Sequence, residues 1–397
     1  MATLLTIEEA LQKVFSRVRP LPAEAVRLAP AAGRVLAEDA RAAVDLPSFA
    51  SSAMDGFAVR AEDTPGTLPV VAQIAAGRPA ARALGTGEAM AIATGGVVPP
   101  GADAVIPIEY VVQHDNSIEI PKPVESGAHV RPHGGDLAAG DVVVRAGAVL
   151  RAAELGALAA AGLGEVVCAK RPRAAVISTG TELRSPGEPL EPGQIYEANG
   201  VMLAAALASA GAVVMPPSSA ADDVQAHRAV LERGLAADVL VTSGGVSVGP
   251  HDLVRKIEAE LGVVEVFWKV AVKPGKPISF GVRDGTLVFG LPGNPVSSLV
   301  CFELFVRPAV LALQGAREPA PAFSPGELAA TVQRNAERDE LLRARLRVDG
   351  ERLLLEPLTG QESHMIARAA AADALVLVPR GDGELAAGTT VRYLPLR

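Results

Sequence analysis

The sequence predicts a multidomain α/β plus β protein with a doubly wound, mostly parallel α/β sheet at its centre. Between residues 171 and 317, short apolar runs alternate with helical patterns, which is typical of a parallel sheet covered on both faces. Short β-type runs separated by Gly and Pro turns precede this part, and short strands return after it. We therefore expect an N-terminal region over 1–170 with an inserted β subdomain at about 43–140, an α/β domain over 171–317 and a C-terminal β domain over 327–397.

Composition excludes several classes of protein. The 397 residues exceed what one hydrophobic core usually holds, so more than one domain is expected. A hydrophobic content of 49% with 21% charged residues is incompatible with wholesale disorder. A net charge of −8 argues against a general nucleic-acid binder, whose affinity depends on neutralising phosphates. The two cysteines, Cys168 and Cys301, are too few for a disulfide framework or a zinc site, and we expect inert core thiols.

The chain carries no membrane or secretion signal that the sequence patterns detect. Met1-Ala-Thr-Leu-Leu5 leads directly into an amphipathic helix, and no secretory signal precedes it. The longest nearly apolar run, Val201–Met215, is too short to span a bilayer. We therefore expect a soluble cytoplasmic protein without a membrane partner.

The N-terminal region begins with a capped helix. Thr6-Ile-Glu-Glu9 is a capping box, and the apolar face that follows predicts a helix to Val18, before Arg19-Pro20-Leu21-Pro22. Later runs predict the strands Leu68–Ala75, Ala89–Thr94, Val105–Val112 and Asp141–Val144, and the helix Arg151–Ala161.

The α/β domain shows the clearest pattern. Its predicted strands are Ala174–Thr179, Ala212–Met215, Asp238–Thr242, Val264–Trp268 and Thr286–Gly290, and its predicted helices are Asn199–Ala210, Asp222–Ala236, Asp252–Leu261 and Pro295–Leu313. Arg317–Gly326 is rich in Pro and Ala and predicts a linker. The tail predicts the strands Leu341–Val348, Arg352–Glu356, Ala374–Val378 and Thr389–Leu394.

One strand end in this domain predicts an anion site. The buried run Asp238–Thr242 is followed by Ser243-Gly244-Gly245, then by Ser247 and Gly249, and a helix starts near Asp252. Glycines let ligand atoms approach the backbone, and the first N–H groups of a helix lack internal partners. The alternative is a tight turn with no ligand.

Lysines concentrate just downstream of this loop. The chain has seven Lys among its 37 basic residues, and three of them are Lys269, Lys273 and Lys276. A lysine ammonium is a compact charge suited to phosphate or to an oxyanion. The alternative is a solvated basic loop. If the lysines do bind an oxyanion, we expect truncation of Lys269 or Lys273 to remove activity while the fold survives.

Three acids follow strand ends or start helices at the same edge of the sheet. Glu182, Asp222 and Asp252 offer the hard oxygen ligands that Mg²⁺ prefers. Each acid taken separately is also explained as a helix-start residue favoured by the helix dipole.

The segment Leu291-Pro292-Gly293-Asn294-Pro295 predicts a shaped wall of the same cleft. Asn294 can cap the following helix, and Pro295 suits the first helical position. In the β subdomain, Asp55-Gly56 predicts a turn, and the loop around Thr94 is explained equally well as a hairpin connection or as a site.

Taken together, these segments resemble one family, the MoeA-type molybdopterin molybdenumtransferases, which are similar to the E domain of gephyrin. The motifs SAMDGFA, ATGGVVPPGADAVIP, STGTEL, IYEANGVML, SGGVSVGPHD, KVAVKPGKP, LPGNPVSS and GQESHMI occur in family order over essentially the whole chain. The resemblance implies an α/β domain of the molybdopterin-binding type, a β-barrel-like C-terminal domain and an elongated homodimer.

The resemblance also implies an activity and site residues. Members of this family join molybdate to adenylylated molybdopterin, with Mg²⁺-dependent cleavage of the adenylate and release of AMP. By resemblance, the essential acids and metal ligands are Glu182, Asp222 and Asp252, the oxyanion-binding lysines are Lys269 and Lys273, and the cleft wall includes Pro292 and Pro295. The other contacts expected with the cofactor-type substrate are Thr94, Ser243, Gly244, Gly245, Ser247, Gly249, Lys276, Gly293, Asn294, Arg343 and Ser363.

Asp55 and Thr94 are expected to act from the partner subunit. Asp136 also matches a family acid, but Gly135 stands where an acid is usual, and Phe57 where a Tyr is common. The anion contact assigned to Arg343 depends on a gapped comparison, in which Arg345 or Arg347 is the alternative.

Two other functions remain open. The α/β domain itself could adenylylate molybdopterin with ATP, although the stand-alone adenylyltransferases resemble the central domain alone. A non-enzymatic scaffold is the second alternative, and a contact with a molybdopterin adenylyltransferase is a further expectation.

Overall fold

A computed structural model describes residues 4–220, 224–245 and 253–396. In these ranges the α/β domain contains a seven-stranded sheet. The spatial order of its main path is Val213–Val214, Arg173–Thr179, Val239–Ser243, Thr286–Leu291, Ser279–Arg283 and Val264–Trp268, and Ser218–Ala220 pairs beside the second of these. The strands are parallel up to Thr286–Leu291, and Ser279–Arg283 runs antiparallel to both of its neighbours. The predicted doubly wound, mostly parallel sheet is therefore confirmed.

Helices cover both faces of this sheet. Val239, Leu240 and Val241 are fully buried because consecutive residues of a strand point to opposite faces, and both faces are packed. One face packs against Ile7–Phe15, Asn199–Ser209 and the long helical segment Pro295–Leu313, and the other against Val224–Gly234 and Leu253–Glu260.

The long helical segment Pro295–Leu313 is apolar enough and long enough to cross a membrane, but 78% of its most apolar stretch is buried inside the protein. Its middle, Phe302–Val306, is a π-helix that lies just before Pro308. Proline has no N–H for the regular helical bond, which accounts for an irregular turn at this point. Burial in the core explains the apolar character, and the cytoplasmic location stays a prediction.

The N-terminal helix Ile7–Phe15 begins at the predicted capping box. The Glu9 backbone N–H donates to Thr6 Oγ1 at 3.1 Å, and the Thr6 N–H donates to Glu9 Oε2 at 2.8 Å. The helix is shorter than predicted, and its buried residues Ile7, Ala10 and Val14 join the core of the α/β domain.

The rest of the N-terminal region consists of two β units. Antiparallel pairs join Ala23–Arg27 to Glu165–Ala169, Ala40–Arg41 to Val142–Val144, and Ser51–Ser52 to Val130–Arg131, and the helix Ala152–Ala160 packs beside them. The inserted unit is a six-stranded sheet in the order Ala104–Pro107, Gly56–Val59, Ala89–Ile92, Gly66–Ile74, Ser117–Ile120 and Val112–His114.

Two predictions for this region are wrong. The single strand Val105–Val112 is divided by the 3₁₀ turn Ile108–Tyr110, which follows Pro107. Gly56 lies in a strand and not in a turn, and a Cβ there would come within 1.9 Å of the Ile106 carbonyl oxygen. The close pairing of the two strands therefore requires glycine.

The C-terminal domain is a small closed β-barrel. Its strands follow the order Asp339–Asp349, Arg352–Pro357, Ser324–Leu328, Thr390–Pro395 and Ala374–Val378, and the last pairs with the first. The predicted linker Arg317–Gly326 is too long by three residues, because Ser324–Gly326 pair with the strand Thr390–Pro395. The short strand Val272–Lys273, from the α/β region, adds to Asp339–Asp349.

The two cysteines are buried free thiols, as predicted. Burial raises the pKa of both Cys168 and Cys301 above the usual range of a thiol. Neither thiol has the depressed pKa and exposure that a reactive cysteine needs.

Candidate functional site

A polar cleft of about 490 Å³ lies at the carboxyl ends of the parallel strands. Strands Arg173–Thr179, Val239–Ser243 and Thr286–Leu291 all end at this edge, and the loops that follow them form the walls. Ligands of open α/β sheets bind at such edges, because several loops converge there.

Eight of the predicted site residues line this cleft: Glu182, Ser243, Gly244, Gly245, Pro292, Gly293, Asn294 and Pro295. Several other lining residues were not predicted as site residues, among them Ser178, Thr179, Tyr196, Glu197, Asn199 and Pro277. Asn199 starts the apolar helix Asn199–Ser209, and Glu197 lies two positions before it. Polar residues at the start of an apolar helix are a pattern from which these two site residues could have been predicted.

Asn199 connects two of the strand-end loops. Its Nδ2 donates to Ser243 Oγ at 2.8 Å and to the Gly293 carbonyl at 2.7 Å. The carbonyl partner fixes which end of the amide carries nitrogen, because only the NH₂ group can donate to it. One side chain therefore sets the spacing between the walls of the cleft.

Two carboxylates, those of Glu182 and Glu197, line the cleft. Glu197 Oε1 accepts from Ser178 Oγ at 2.8 Å and from the Gly200 backbone N–H at 2.7 Å. Glu182 is exposed at the start of the ribbon in which Leu183–Arg184 pairs with Ile195–Tyr196. The cleft therefore offers hard oxygen ligands beside a glycine loop.

The glycine loop depends on backbone conformations that other residues rarely adopt. Gly244 has φ +92° and Gly245 has φ +66°, both in the left-handed region. A Cβ on Gly244 would lie 2.9 Å from the Thr179 carbonyl oxygen, and one on Gly245 would lie 2.6 Å from Val254 Cγ2. The loop is packed against its own chain as well as open to the cleft.

We expect Gly244→Ala to destabilise the loop by about 1–3 kcal/mol, because it combines a disfavoured φ with a clash against backbone. The temperature of thermal unfolding and the affinity for a pterin nucleotide would both fall. Gly293→Ala is the matched control, since its Cβ would meet only Gly244 Cα, at 3.7 Å. Equal losses of stability in the two variants would contradict the explanation.

The C-terminal domain reaches the cleft through Ser363. Asn294 precedes the helix that starts at Pro295, as predicted, but its side chain makes no capping bond. Its Nδ2 donates to Ser363 Oγ at 2.8 Å, and the Val296 N–H donates to the Ser363 carbonyl at 3.0 Å. The cap predicted for Asn294 is therefore supplied by the backbone of another domain.

Lys269 and Lys273 are not the freely solvated side chains of the alternative interpretation, because each contacts another side chain. Lys269 has φ +71°, and its Nζ lies 3.6 Å from the ring centroid of Trp268, which Arg255 also contacts at 4.1 Å. Lys273 Nζ lies 2.9 Å from Glu340 Oε1 of the C-terminal barrel. Lys276 is half-buried in the same loop. Pro277 links this loop to the cleft that it lines.

Arg343 occupies a position that differs from a surface anion contact. It is only 1% exposed, and its guanidinium donates to the carbonyls of Met365, Gly360 and Glu362 at 2.6, 2.8 and 3.2 Å. Burial lowers the pKa of Arg343, and the Glu362 carboxylate opposes that shift. In this structure Arg343 supports the loop that carries Ser363, and direct contact with an anion stays a prediction.

Asp55 and Thr94 lie together but away from the cleft. Asp55 Oδ1 accepts from the Thr94 backbone N–H at 2.8 Å. Asp55 lines a separate cavity of about 420 Å³ in the inserted β unit. Asp136 is exposed, and its N–H donates to the Leu46 carbonyl.

The remaining predicted residues, Asp222, Ser247, Gly249 and Asp252, lie outside the described residues. Within residues 4–220, 224–245 and 253–396, no three His, Cys, Asp or Glu side chains are grouped to hold a metal ion. Of the three predicted metal ligands, Glu182 is thus the one with a described position.

Three family models match the chain in order. Residues 5–162 match the MoeA N-terminal region (domain I and II), residues 175–312 a probable molybdopterin binding domain, and residues 325–396 the MoeA C-terminal region (domain IV). Together with the cleft, these matches define a protein built around an α/β domain of the molybdopterin-binding type.

Relatives extend over the whole chain. Molybdopterin molybdenumtransferase 2 of Mycobacterium tuberculosis is 39% identical, covering 98% of this chain and 99% of its own, and that of Haemophilus influenzae is 34% identical, covering 99% and 98%. A solved molybdopterin biosynthesis MoeA protein from Pyrococcus horikoshii superposes with a TM-score of 0.85 at 28% identity, over 99% of this chain and 100% of its own. This chain belongs to the molybdopterin molybdenumtransferase family.

Proposed function

We propose that this protein inserts molybdenum into molybdopterin during molybdenum cofactor biosynthesis, with molybdate and adenylylated molybdopterin as substrates and AMP as a product. The observation that carries the proposal is the cleft at the carboxyl edge of the sheet, where Glu182, Gly244 and Pro292 meet. It combines carboxylates with a glycine loop, and its lining residue Pro277 directly follows Lys276, which suits a large anionic substrate.

Different residues in and near the cleft have different roles. The glycine loop lets phosphate oxygens approach the backbone closely, and Asn199 keeps that loop at a fixed distance from Gly293. Lys269 and Lys273 attract molybdate, a dianion, to the neighbouring edge. Cys301 and Cys168 are buried, so we expect no covalent enzyme intermediate at a thiol. Attack on phosphorus comes from water or from a molybdate oxygen.

Mg²⁺ fits the chemistry of the residues around the cleft. The resemblance assigns it to Glu182, Asp222 and Asp252, and the half-buried Glu197 is a second carboxylate that lines the same cleft as Glu182. When bound, Mg²⁺ neutralises phosphate charge and polarises the bond that is cleaved. Glu182 and Glu197 supply the hard oxygen ligands that this ion prefers.

The proposal includes a homodimer with shared sites. Asp55 lines a cavity in the inserted β unit and accepts from the Thr94 N–H, and Glu182 lines the cleft of the α/β domain. A twofold dimer can bring the β unit of one subunit to the cleft of the other. Contact with a molybdopterin adenylyltransferase would deliver the adenylylated substrate.

We expect AMP release from adenylylated molybdopterin to require both molybdate and Mg²⁺. Purified protein is mixed with this substrate, and AMP and molybdenum-loaded pterin are measured by chromatography. Glu182→Gln should lower the rate at least a hundredfold if the carboxylate is essential, on the scale of a lost electrostatic group in a closed site. Omission of molybdate is the control.

The alternatives give different products. Release of pyrophosphate from ATP and molybdopterin would favour an adenylyltransferase. If the protein binds the pterin nucleotide but releases no AMP when molybdate and Mg²⁺ are present, the result would favour the non-enzymatic scaffold.

A further inference from the structure

The loop of scarce lysines makes one ion pair with a different domain. Lys273 Nζ lies 2.9 Å from Glu340 Oε1, and the side chains are 45% and 12% exposed, respectively. The lysine is open to an incoming ligand, whereas the carboxylate is largely removed from water. A carboxylate in that position needs a partner, because an unpaired buried charge is costly.

The backbone fixes this pair in place. Val272 and Lys273 form a short strand that pairs in parallel with Asp339 and Glu340, and the Asp339 N–H donates to the Ala271 carbonyl at 3.0 Å. Because Lys273 and Glu340 are directly paired positions, their side chains start from adjacent points of one sheet. The ion pair therefore belongs to the backbone-paired interface between the barrel and the α/β domain.

The charge balance of the loop depends on Glu340. Lys269, Lys273 and Lys276 lie within eight positions of one another. Lys269 contacts the Trp268 ring, which offers no formal charge. Among the described residues, Glu340 is the carboxylate within 4 Å of a lysine of this loop. It offsets one of three positive charges at the place where a dianion is expected.

We propose that Glu340 is a positioning residue for oxyanion selection: it holds the Lys273 ammonium at the edge of the site and tempers its attraction for dianions. This inference rests on the proposed function, because that function makes Lys273 an oxyanion ligand. An oxyanion that reaches Lys273 alone meets a charge that is already partly neutralised. An oxyanion that also contacts Lys269 or other groups of the site gains enough to share the ammonium with Glu340.

The proposal predicts that discrimination falls when the counter-charge is removed. Glu340→Gln keeps a side-chain oxygen that can accept from Lys273 but removes the negative charge. We expect sulfate, a dianion of the same shape as molybdate, to bind roughly fivefold to tenfold more tightly to this variant. Molybdate should gain less, so the ratio of the two dissociation constants moves towards one.

Calorimetric titration of the purified full-length protein with sodium molybdate and sodium sulfate, at constant ionic strength, tests this. Glu356→Gln is the matched control: it removes the same charge from the same barrel, in an exposed pair with Arg347, and should leave both dissociation constants unchanged. Glu340→Asp keeps the charge and should bind sulfate more weakly than Glu340→Gln does. Thermal melts check that each variant is folded.

Several results would overturn the proposal. One is a folded Glu340→Gln protein whose two dissociation constants stay within twofold of wild type. Another is a Glu340→Asp protein that binds sulfate as Glu340→Gln does, which would exclude the charge as the cause. If Glu340→Gln does not fold, Glu340→Asp with sulfate binding unlike wild type would count against it in the same way.

The proposed function can fail separately. Absence of AMP release by wild type, with the shift in sulfate binding still present, would defeat the function but leave the role of Glu340 standing. AMP release by wild type, with no change of sulfate binding in Glu340→Gln, would leave the function standing but defeat the role of Glu340. Wild-type protein that binds neither oxyanion would defeat the role of Glu340, and AMP release would still decide the proposed function.

Discussion

Mixed dimers of Asp55→Asn and Glu182→Gln subunits are expected to recover activity that neither homodimer has. Asp55 and Glu182 line different cavities, one in the inserted β unit and one at the edge of the α/β sheet. If a complete site combines these parts from two subunits, each hybrid holds one intact site and one site damaged twice. Random exchange makes half of the dimers hybrid, so activity should reach about a quarter of wild type.

Two affinity tags allow the hybrids to be purified and assayed for molybdate-dependent AMP release. The control pairs Glu182→Gln with Lys269→Ala, both in the α/β domain, where no hybrid can contain an intact site. Hybrids of Asp55→Asn and Glu182→Gln that stay inactive, while wild-type dimers prepared identically work, would mean a site within one chain or two coupled sites. A covalently linked dimer with one wild-type subunit separates these cases: coupling leaves it inactive, and a single-chain site leaves it half active.

Arg343→Ala is expected to lower the free energy of unfolding of the C-terminal barrel by about 3–5 kcal/mol, as the loss of one member of a buried polar network does. The side chain is fully buried and donates to three loop carbonyls. Removing it leaves these acceptors without that donor. The loop also carries Ser363, so its contact with Asn294 should weaken and turnover should fall.

Hydrogen exchange followed by mass spectrometry measures the barrel separately from the other domains, which a single melting curve does not. Arg345→Ala is the matched control: Arg345 lies on the same strand with an exposed side chain, and its loss should change stability by less than about 0.5 kcal/mol. Arg343→Lys should not restore stability, because an ammonium cannot reproduce the planar set of donors. Wild-type protection of residues 358–365 in Arg343→Ala would contradict the assignment.

The strength of the local pattern decides how much of the fold the sequence predicts. Ala374–Val378 has the predicted bounds, because it is an apolar run closed by Asp373 on one side and by Pro379 on the other. Ser279–Arg283 was missed because its Ser, Gly and Arg give no such run, and tertiary pairing with Thr286–Leu291 makes it a strand.

In the candidate site, too, residues in local patterns could be predicted, whereas contacts between distant parts of the chain could not. Gly244 and Gly245 directly follow one strand and Pro295 starts the helix after another, so local patterns predict their place at the sheet edge. The pairing of Asn294 with Ser363 spans 69 positions and depends on how the barrel docks. No local pattern marks Glu340 as the partner of Lys273, for the same reason.

Trp268 has a practical value for spectroscopy. It is the one tryptophan of the chain, and the Lys269 ammonium and the Arg255 guanidinium lie 3.6 and 4.1 Å from its ring centroid. Indole emission responds to nearby charge, so the native fluorescence of this protein reports on a single place at the end of the strand Val264–Trp268. An oxyanion that moves the Lys269 ammonium off the ring thus carries its own optical signal, and binding can be followed in stopped flow without a dye or a labelled substrate.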